Sequence, residues 1–418
     1  CSVSAAEKTT LTFWHAMGGT NGEVLQQIVD DFNASQDEIE IKAEYQGTYD
    51  DTITKLKAAM QSESGLPDVC QMYDVGTKFM YDSGAVIPVE DKFESTGYDK
   101  SSVMEVISSY YTVDGKQYAM PFNVSTPMLY YNKDVFEAAG LDPETPPTTY
   151  DEVLEDAKKI VESGAAPVGY SQAIYGWFFE QQLAGLGVTY GNNDNGRKEA
   201  VTAVDFDSNG GGLKVFDMWK KLYDSGYFED YGTTTADTQT AFFSGQVGMI
   251  IESTAILKNA VDSSPFEVGT GYLPRIEQND EGGVIIGGGS LWLTDTGNEA
   301  NEDAAWKFIE YITTPDVQAK WSMGTGYFAI NEKAYETDDM KAYLEENPNF
   351  MTAINQLKDS PVNCNTAGVL SGVQTEARLT FNEIMPQVYD GKLTTQDAVD
   401  QLAASVNKAI ENYNESIK

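Results

Sequence analysis

The 418-residue chain is poor in histidine and cysteine, which many hydrolases use for catalysis. It contains one histidine, His15, and three cysteines, Cys1, Cys70 and Cys364. An odd cysteine count gives no disulfide framework, and no Cys-x-x-Cys pair or Cys/His cluster has zinc-site spacing. The sequence has neither a Gly-x-Ser-x-Gly elbow nor a Gly-x-x-x-x-Gly-Lys-Ser/Thr phosphate loop. The pattern indicates recognition rather than catalysis, so we expect no enzyme activity, no metal and no cofactor.

Positive charge is also scarce. The chain has 27 Lys and Arg against 65 Asp and Glu, a formal net charge of −38, and its only arginines are Arg197, Arg275 and Arg378. A surface this acidic repels nucleic acid and anionic lipid, so we expect no nucleic-acid partner. It also repels a small anion at long range, although charges beyond a Debye length of about 8 Å contribute little at physiological salt.

Long apolar runs are absent as well. No stretch of 18 or more apolar residues occurs, so the sequence predicts no membrane-spanning helix. Hydrophobic residues make up 41% and charged residues 22% of the chain, which is the composition of a globular protein. A chain of this length is too long for one ordinary core and suits two lobes.

The first residues predict a lipid anchor. The numbering begins at Cys1 with no methionine, and residues 2–8 are small and polar, as in a tether. We expect Cys1 to be the lipid-modified first residue of a bacterial lipoprotein whose signal peptide has been removed. The alternative is a cysteine left over from cloning.

Strands and helices alternate in the first part of the chain. Residues 10–15, 39–45 and 67–73 have strand patterns, and apolar residues at helical spacing follow the first two. This alternation predicts parallel β-α-β units, whose loops at the carboxyl ends of the strands carry ligand groups. Those loops place five side chains on one rim: Trp14, His15, Tyr49, Tyr73 and Asp74.

A run of glycines marks a second candidate position. Residues 285–292 read Ile-Ile-Gly-Gly-Gly-Ser-Leu-Trp and include Gly288, so the backbone can lie against a group that a Cβ would hold away. Glycine amides together with the guanidinium of Arg378 suit an anion such as phosphate. The alternatives are a tight bend between strands for the glycines and a surface ion pair for Arg378.

Further along the chain, the strand pattern at 248–254 ends in the hydroxyls of Ser253 and Thr254, which is a site-like position. Residues 205–210 imitate the start of an EF-hand calcium loop, but the twelfth position is Phe216, where a bidentate Glu is needed. We therefore favour an Asp-capped helix start there over calcium binding. Three segments suit crossovers between two lobes: 121–127, 268–274, and 324–328 with Tyr327.

Assembled in order, these motifs resemble the extracellular solute-binding proteins of ABC importers, and within them the glycerol-3-phosphate-binding proteins. The general part of the resemblance is Leu-Tyr-Tyr-Asn-Lys-Asp at 129–134, Ala-Gly-Leu-Asp at 139–142 and Pro-Pro-Thr at 146–148. The more specific part comprises 13–15, 47–49, 73–77, 121–127, 285–292 and 325–327. The resemblance extends from about residue 11 to the end of the chain.

The resemblance implies a role for each matching residue. Tyr49 and Asp74 would hold the glycerol hydroxyls, Trp177 would pack on the ligand, and Trp14 and His15 lie in a matching motif. The phosphate would be surrounded by Ser125, the hydroxyl of Ser253 or Thr254, an amide near Gly288, Tyr327 and Arg378. One residue departs from the family: Asp74 stands where its better-known members have Glu. A carboxylate shorter by one methylene needs a water or a shifted ligand, so a glycerophosphodiester or another polyol phosphate stays open.

The implied fold is α/β: a two-lobe periplasmic-binding-protein fold (class II) with three interlobe crossings and a ligand cleft that closes by hinge motion. We expect a tether at 1–8, lobe I at 9–120 and 271–325, and lobe II at 121–270 and 326–418. The implied partners are a small glycerophospho ligand or sugar and the membrane subunits of an ABC permease. The chain would act as a monomer outside the cytoplasm, touching the membrane only through its lipid anchor.

Two other functions stay open. In the first, the fold is the same but the ligand is a neutral oligosaccharide stacked on Trp14, Trp177 and Trp292, with no need for Arg378. In the second, the chain is a glycerophosphodiester or glycan hydrolase, and His15 or a pair among the 65 carboxylates carries the reaction. Turnover of a ligand would distinguish the hydrolase from both binding proteins.

Overall fold

The structure is a computed structural model that describes residues 7–62 and 65–418. Cys1, on which the lipid-anchor prediction depends, lies outside the described residues. None of the helices in the described ranges is long and apolar enough to cross a membrane.

The strands are β1 Thr9–His15, β2 Ile39–Tyr45, β3 Val69–Tyr73, β4 Val86–Ile87, β5 Thr112–Val113, β6 Lys116–Gln117, β7 Met120–Ser125, β8 Pro127–Asn132, β9 Val168–Ser171, β10 Val247–Ser253, β11 Val268–Gly271 and β12 Gly287–Thr294. The helices are α1 Gly19–Ser35, α2 Tyr49–Ser62, α3 Thr77–Asp82, α4 Val89–Thr96, α5 Glu105–Ser108, α6 Lys133–Ala138, α7 Tyr150–Glu162, α8 Gly176–Gly185, α9 Asn192–Gly196, α10 Gly211–Asp224, α11 Thr235–Phe243, α12 Leu257–Ser263, α13 Glu299–Ile312, α14 Pro315–Thr325, α15 Asp338–Glu346, α16 Asn349–Asp359, α17 Cys364–Ala367, α18 Gln374–Tyr389 and α19 Thr395–Ser416. Residues 193–195 in the short α9 have positive φ.

The chain divides into two compact units. Unit 1 comprises Cys1–Val124 and Gly287–Glu345, and unit 2 comprises Ser125–Ile286 and Glu346–Lys418. The chain therefore passes from one unit to the other three times, after residues 124, 286 and 345. The sequence placed these crossings after residues 120, 270 and 325.

The second and third crossings come later because packing holds the intervening residues. Strand β11 pairs with β8 of unit 2, and the Gln181 side chain donates to the Ile285 carbonyl over 2.7 Å and accepts from its amide over 2.8 Å. In unit 1, a small cluster of buried side chains ties the segment after Gly326 to α14: Ala319, Ala329, Ala334 and Met340.

The sheet of unit 1 has the strand order β2-β1-β3-β12-β4, and β7 pairs with β12 off this path. Strand β1 is parallel to both β2 and β3, so the predicted parallel β-α-β units are confirmed. Strand β12 is antiparallel to β3, with Gly289 opposite Tyr73 and Trp292 opposite Cys70. The glycine run thus lies inside a sheet and is not a bend between strands.

The sheet of unit 2 has the strand order β11-β8-β10-β9. Strand β8 is antiparallel to β10 and β11, whereas β9 and β10 are parallel and therefore end at the same edge. Helices α8, α10, α18 and α19 contribute Trp177, Trp219, Phe381 and Leu402 to one buried apolar cluster. This core fixes α8 and α18, which carry candidate site residues.

The prediction of an Asp-capped helix start at 205–210 is wrong. Helix α10 begins at Gly211, and its N-cap residue is Gly210, which has no side chain. The carboxylate of Asp205 instead accepts a hydrogen bond from the Thr189 hydroxyl over 3.0 Å. Gly210 occupies this cap because its φ of +80° is a conformation that glycine adopts without strain.

Candidate ligand-binding site

The centre of the candidate site in unit 1 is Asn123, a fully buried residue in β7. Its Nδ2 donates to the Tyr49 hydroxyl over 2.7 Å, and its Oδ1 accepts from Gln71 Nε2 over 2.7 Å. Tyr49 is the first residue of α2, so the loop after β2 delivers its phenol to the end of β7. Asn123 was not among the predicted site residues, although the segment between Pro121 and Pro127 contained it.

A second phenol reaches the same amide. Asn123 also hydrogen-bonds the Tyr327 hydroxyl, and the Tyr327 ring stacks on Trp321 with centroids 5.9 Å apart. The Tyr49 ring stacks on Tyr73 at 5.1 Å. Because Asn123 donates to Tyr49, the hydroxyl keeps its own proton to donate to another acceptor.

Burial keeps both phenols protonated. It raises the pKa of Tyr49 well above 10, and the electrostatic influence of the neighbouring Tyr327 and Asp74 raises it further. Burial likewise raises the pKa of Tyr327. Two neutral hydroxyls held in place by one amide suit the hydroxyl groups of a polyol, which both donate and accept hydrogen bonds.

Asp74 lies beside this pair of phenols. It follows β3 directly, in a short 3₁₀ helix at Asp74–Gly76, and is only 8% exposed. Its backbone carbonyl accepts from the Tyr110 hydroxyl over 3.1 Å, which fixes the backbone at that point. The structure therefore brings Tyr49, Asp74 and Tyr327 together in unit 1.

The glycine run belongs to the same cluster. Gly288 has a φ of +93°, and a Cβ built on it would lie 1.8 Å from the Asn123 carbonyl oxygen. A Cβ on Gly289 would lie 2.5 Å from Asn123 Oδ1. Only residues lacking a Cβ let β12 approach β7 this closely. The glycines thus accommodate Asn123, a partner that the sequence did not reveal.

Trp14 and His15, the last two residues of β1, each form a hydrogen bond within unit 1. Trp14 Nε1 donates to the Glu44 carboxylate over 2.9 Å. His15 is 5% exposed, its Nδ1 accepts from the Met17 amide over 3.2 Å, and burial lowers its pKa to about 4. The next residue, Ala16, donates its amide to Gln71 Oε1 over 2.8 Å, and Gln71 in turn donates to Asn123.

In unit 2, three of the predicted hydroxyl residues lie on two chain segments that are hydrogen-bonded to each other. The Thr126 amide donates to Thr254 Oγ1 over 3.1 Å, and the Thr254 amide donates back to the Thr126 carbonyl over 2.7 Å. Ser253 ends β10 and is paired with Pro127. Ser125, 5% exposed, immediately precedes Thr126. These two short segments hold Ser125, Ser253 and Thr254 at one edge of the sheet.

A buried acid adjoins these hydroxyls. Glu252 is 4% exposed and accepts from the Ser253 amide over 2.7 Å and from Gln239 Nε2 over 3.0 Å. Burial raises the pKa of Glu252 to about 7. The sequence analysis missed Glu252, although an acid directly after the apolar run 247–251 was a signal for it.

Arg378 is bound to a buried carboxylate. Its Nε lies 3.2 Å from each oxygen of Glu180, and its Nη2 lies 2.7 Å from Glu180 Oε2. Glu180 is 6% exposed. Arg378 therefore forms an ion pair, as one of the alternatives from the sequence proposed. That alternative placed the pair at the surface, whereas the observed pair is buried and joins α18 to α8.

Trp177 lies in the first turn of α8, next to the helix contact that Arg378 makes. A Cβ on Gly176 would lie 2.5 Å from the Arg378 Cα, and the Gly176 amide donates to Asn382 Oδ1 over 3.0 Å. The Trp177 ring packs 6.0 Å from Tyr175 and Phe178 and is 4% exposed. Trp177 and Arg378 are thus neighbours within unit 2.

One element of the oligosaccharide alternative is wrong. Trp292 is fully buried in β12, and its Nε1 donates to the Ser290 hydroxyl over 2.9 Å. A fully buried indole offers no face to a sugar ring. Trp292 therefore belongs to the core of unit 1 and is not a stacking platform.

Comparisons with known proteins find relatives that match most of this chain. The family model for bacterial extracellular solute-binding protein matches residues 27–352. The sn-glycerol-3-phosphate-binding periplasmic protein UgpB of Escherichia coli (strain K12) is 31% identical over 422 residues, which cover 99% of this chain and 95% of that protein.

Solved structures match along nearly the whole chain. The cyclic alpha-maltosyl-1,6-maltose binding protein of Arthrobacter globiformis is similar with a TM-score of 0.81 at 26% identity, covering 97% of this chain and 100% of that one. UgpB of Mycobacterium tuberculosis in complex with glycerophosphocholine is similar with a TM-score of 0.80 at 20% identity, covering 97% and 99%. The fold is that of the class II periplasmic binding proteins, as the family resemblance implied.

Proposed function

The chain belongs to the bacterial extracellular solute-binding proteins, and from this we propose that it captures sn-glycerol 3-phosphate or a related glycerophospho compound for an ABC importer. As a member of this family it is an extracytoplasmic substrate-binding component. The observation that carries the choice of ligand is the cluster in which Asn123 holds the hydroxyls of Tyr49 and Tyr327 beside Asp74.

This cluster suits the glycerol end of the ligand. Two neutral phenols can each donate to a glycerol oxygen, and the Asp74 carboxylate can accept from a glycerol hydroxyl. Each hydrogen bond to a charged group contributes about 1.5–3 kcal/mol, and each neutral one about 0.5–1.5 kcal/mol. Three such contacts to a small polyol distinguish it from ligands that lack vicinal hydroxyls.

The other groups suit the phosphate end. Ser125, Ser253 and Thr254 supply hydroxyl donors, and Arg378 supplies charge-assisted ones. The Glu180 carboxylate already accepts a hydrogen bond from Arg378. The hydroxyls therefore contribute more to phosphate binding than they would beside an unpaired guanidinium. Trp177 would pack on the ligand between these groups, and Gly288 would offer its amide.

The proposed residues divide between the two units, as a clamp requires. Tyr49, Asp74, Gly288 and Tyr327 belong to unit 1, whereas Ser125, Trp177, Ser253, Thr254 and Arg378 belong to unit 2. In our proposal one ligand contacts both groups and stabilises the closed form by contacts that the open form cannot make. In this proposal the hinge would lie where the chain passes between the units, after residues 124, 286 and 345.

The lipid anchor at Cys1 stays part of the proposal. It predicts a diacylglycerol adduct on Cys1, which would hold the monomer at the cell membrane near its permease. Mass spectrometry of native protein checks this: an unmodified Cys1 would remove the anchor from the account and leave ligand capture unaffected.

A neutral oligosaccharide is the second candidate ligand. The Arg378–Glu180 pair favours it, because an ion pair carries no net charge and hydrogen-bonds a sugar hydroxyl as readily as a phosphate. The relative from Arthrobacter globiformis, whose name assigns it a cyclic maltosyl-maltose ligand, is 26% identical to this chain. This candidate retains Trp14 and Trp177 for stacking and loses Trp292.

Calorimetric titration of the purified chain separates these candidates. The ligands are sn-glycerol 3-phosphate, glycerophosphocholine and maltotriose, and each mixture is assayed for product. Stoichiometric binding of a glycerophospho compound without turnover is the expected result. Binding of maltotriose alone would replace the proposed ligand with an oligosaccharide, and release of product would make the chain a hydrolase.

A further inference from the structure

The buried Glu180 carboxylate already binds the Arg378 guanidinium. Our proposed function assigns that guanidinium to the phosphate of the ligand. Glu180 meets Arg378 through three contacts, at 2.7, 3.2 and 3.2 Å. The Glu180 side chain keeps 7% of its surface exposed and that of Arg378 keeps 15%. The two charges therefore face each other out of water, where they interact strongly.

The surrounding helices hold Glu180 in this position. Gln374, one turn before Arg378 in α18, donates its side-chain amide to Glu180 Oε1. Asn382, one turn after Arg378, binds the first amide of α8. Because residues four apart share one face of a helix, this row of three side chains docks α18 on α8 around the Glu180 carboxylate.

The other two arginines of unit 2, Arg197 and Arg275, are bound to backbone carbonyls. Arg275 donates to the carbonyls of Asn279 over 2.7 Å and Gly282 over 3.0 Å. Arg197 donates to the carbonyl of Gly368 over 3.0 Å and to that of Ala367. Arg275 therefore binds the backbone of its own loop, and Arg197 binds the backbone at the end of α17.

We propose that Glu180 is a specificity-determining residue that makes the site prefer a phosphodiester to a phosphomonoester. This inference rests on the proposed function, because it takes Arg378 to be the group that meets the phosphate. Glu180 acts through Arg378 and does not itself touch the ligand.

The preference follows from charge. A phosphomonoester carries between about 1.5 and 2 negative charges at pH 7, whereas a diester carries one. A neutral Arg378–Glu180 pair can donate hydrogen bonds to one negative charge, but the second charge of a monoester is repelled by the nearby Glu180 carboxylate, which already balances the charge of Arg378. The ligand that fits is a glycerol phosphodiester.

A matched pair of ligands isolates this effect. The first is sn-glycerol 3-phosphate and the second is its methyl ester on the phosphate, which removes one charge and adds only a methyl group. Affinities of the full chain for both are measured by calorimetry at pH 8 and constant salt. We expect the methyl ester to bind about tenfold more tightly.

The variant Glu180→Gln removes the charge and keeps the shape and the hydrogen-bonding atoms of the side chain. We expect it to reduce the preference to about threefold or less, mainly by strengthening the binding of sn-glycerol 3-phosphate. Glu383→Gln is the matched control, because Glu383 is exposed on the same helix and its loss changes the net charge equally. That control keeps the wild-type preference.

The outcomes are distinguishable. If the wild-type chain binds sn-glycerol 3-phosphate as tightly as its methyl ester, the inference is overturned, even if Glu180→Gln fails to fold. An unchanged preference in a Glu180→Gln protein with wild-type circular dichroism also overturns it, and both results leave the proposed function standing. If neither ligand binds the wild-type chain, the proposed function is wrong and this inference falls with it.

Discussion

The Asn123 side chain donates a hydrogen bond to the Tyr49 hydroxyl over 2.7 Å, although the two residues are 74 positions apart in the chain. The same amide hydrogen-bonds Tyr327, and the Asn123 backbone lies against Gly288. Three predicted site residues thus depend on one buried asparagine. The geometry of this cluster leads to testable consequences for binding and for stability.

Tyr49→Phe tests whether the Tyr49 hydroxyl binds the ligand. Losing one hydrogen bond from the Tyr49 hydroxyl to the glycerol lowers the affinity for the glycerophospho ligand about tenfold. The Asn123 donor that loses its acceptor lowers the free energy of unfolding by on the order of 1 kcal/mol. Calorimetry and thermal unfolding measure the two effects. Tyr45→Phe is the control, because Tyr45 is 58% exposed. Wild-type affinity in Tyr49→Phe would remove Tyr49 from the site.

Gly288→Ala tests the close approach of β12 to Asn123. Alanine would strain a backbone held at φ +93° and place its Cβ 1.8 Å from the Asn123 carbonyl, so we expect a loss of about 3 kcal/mol or more of unfolding free energy. Gly297→Ala is the matched control: its φ is +72°, but a Cβ there meets nothing within 4 Å. That variant pays only the backbone cost, about 1 kcal/mol. Equal losses in denaturant unfolding would contradict the packing described for Gly288.

His15 gives a prediction about pH. Burial lowers its pKa from 6.5 to about 4, so the folded state holds the imidazole neutral where the unfolded chain would protonate it. Stability from this residue is present above pH 6.5 and is lost as the pH falls from 6.5 towards 4. Because His15 is the only histidine, its NMR signal is unambiguous. The shift should stay constant from pH 8 to 5.5, and a midpoint near 6.5 would show that the ring is exposed.

Glu252 gives the opposite prediction. Burial raises its pKa from 4.5 to about 7, so the folded state retains a proton that the unfolded chain releases. The contribution of Glu252 to the free energy of unfolding falls as the pH rises from 4.5 to 7 and stays constant above pH 7. The total loss is on the order of 3 kcal/mol. Glu252→Gln removes this cost and should be more stable than the wild type at pH 8. The exposed Glu345→Gln serves as control, and equal stability curves for wild type and Glu252→Gln would refute the prediction.

The local architecture could be predicted from the sequence because it follows local rules. The alternating patterns at 10–15, 39–45 and 67–73 predicted parallel units, and β1, β2 and β3 are parallel. The carboxyl ends of those strands also predicted where Tyr49 and Asp74 lie. These features depend on residues close in sequence, whose periodicity is visible along the chain.

The pairings across the site could not be predicted in the same way. Glu180 lies 198 positions from Arg378, and nothing near either residue in sequence indicates the other. Asn123 was part of a recognised motif, but its hydrogen bond to Tyr49 depends on where β7 lies relative to α2. Such contacts are consequences of tertiary packing, which no local pattern encodes.

A crystal structure of the chain with glycerophosphocholine tests the central claim most directly. Our account predicts a glycerol oxygen within about 3.2 Å of the Tyr49 hydroxyl and another within that distance of an Asp74 carboxylate oxygen. It also predicts the phosphate against Arg378 and the hydroxyl of Ser253 or Thr254. Density for the ligand elsewhere, with Tyr49 and Asp74 contacting only protein or water, would contradict the account.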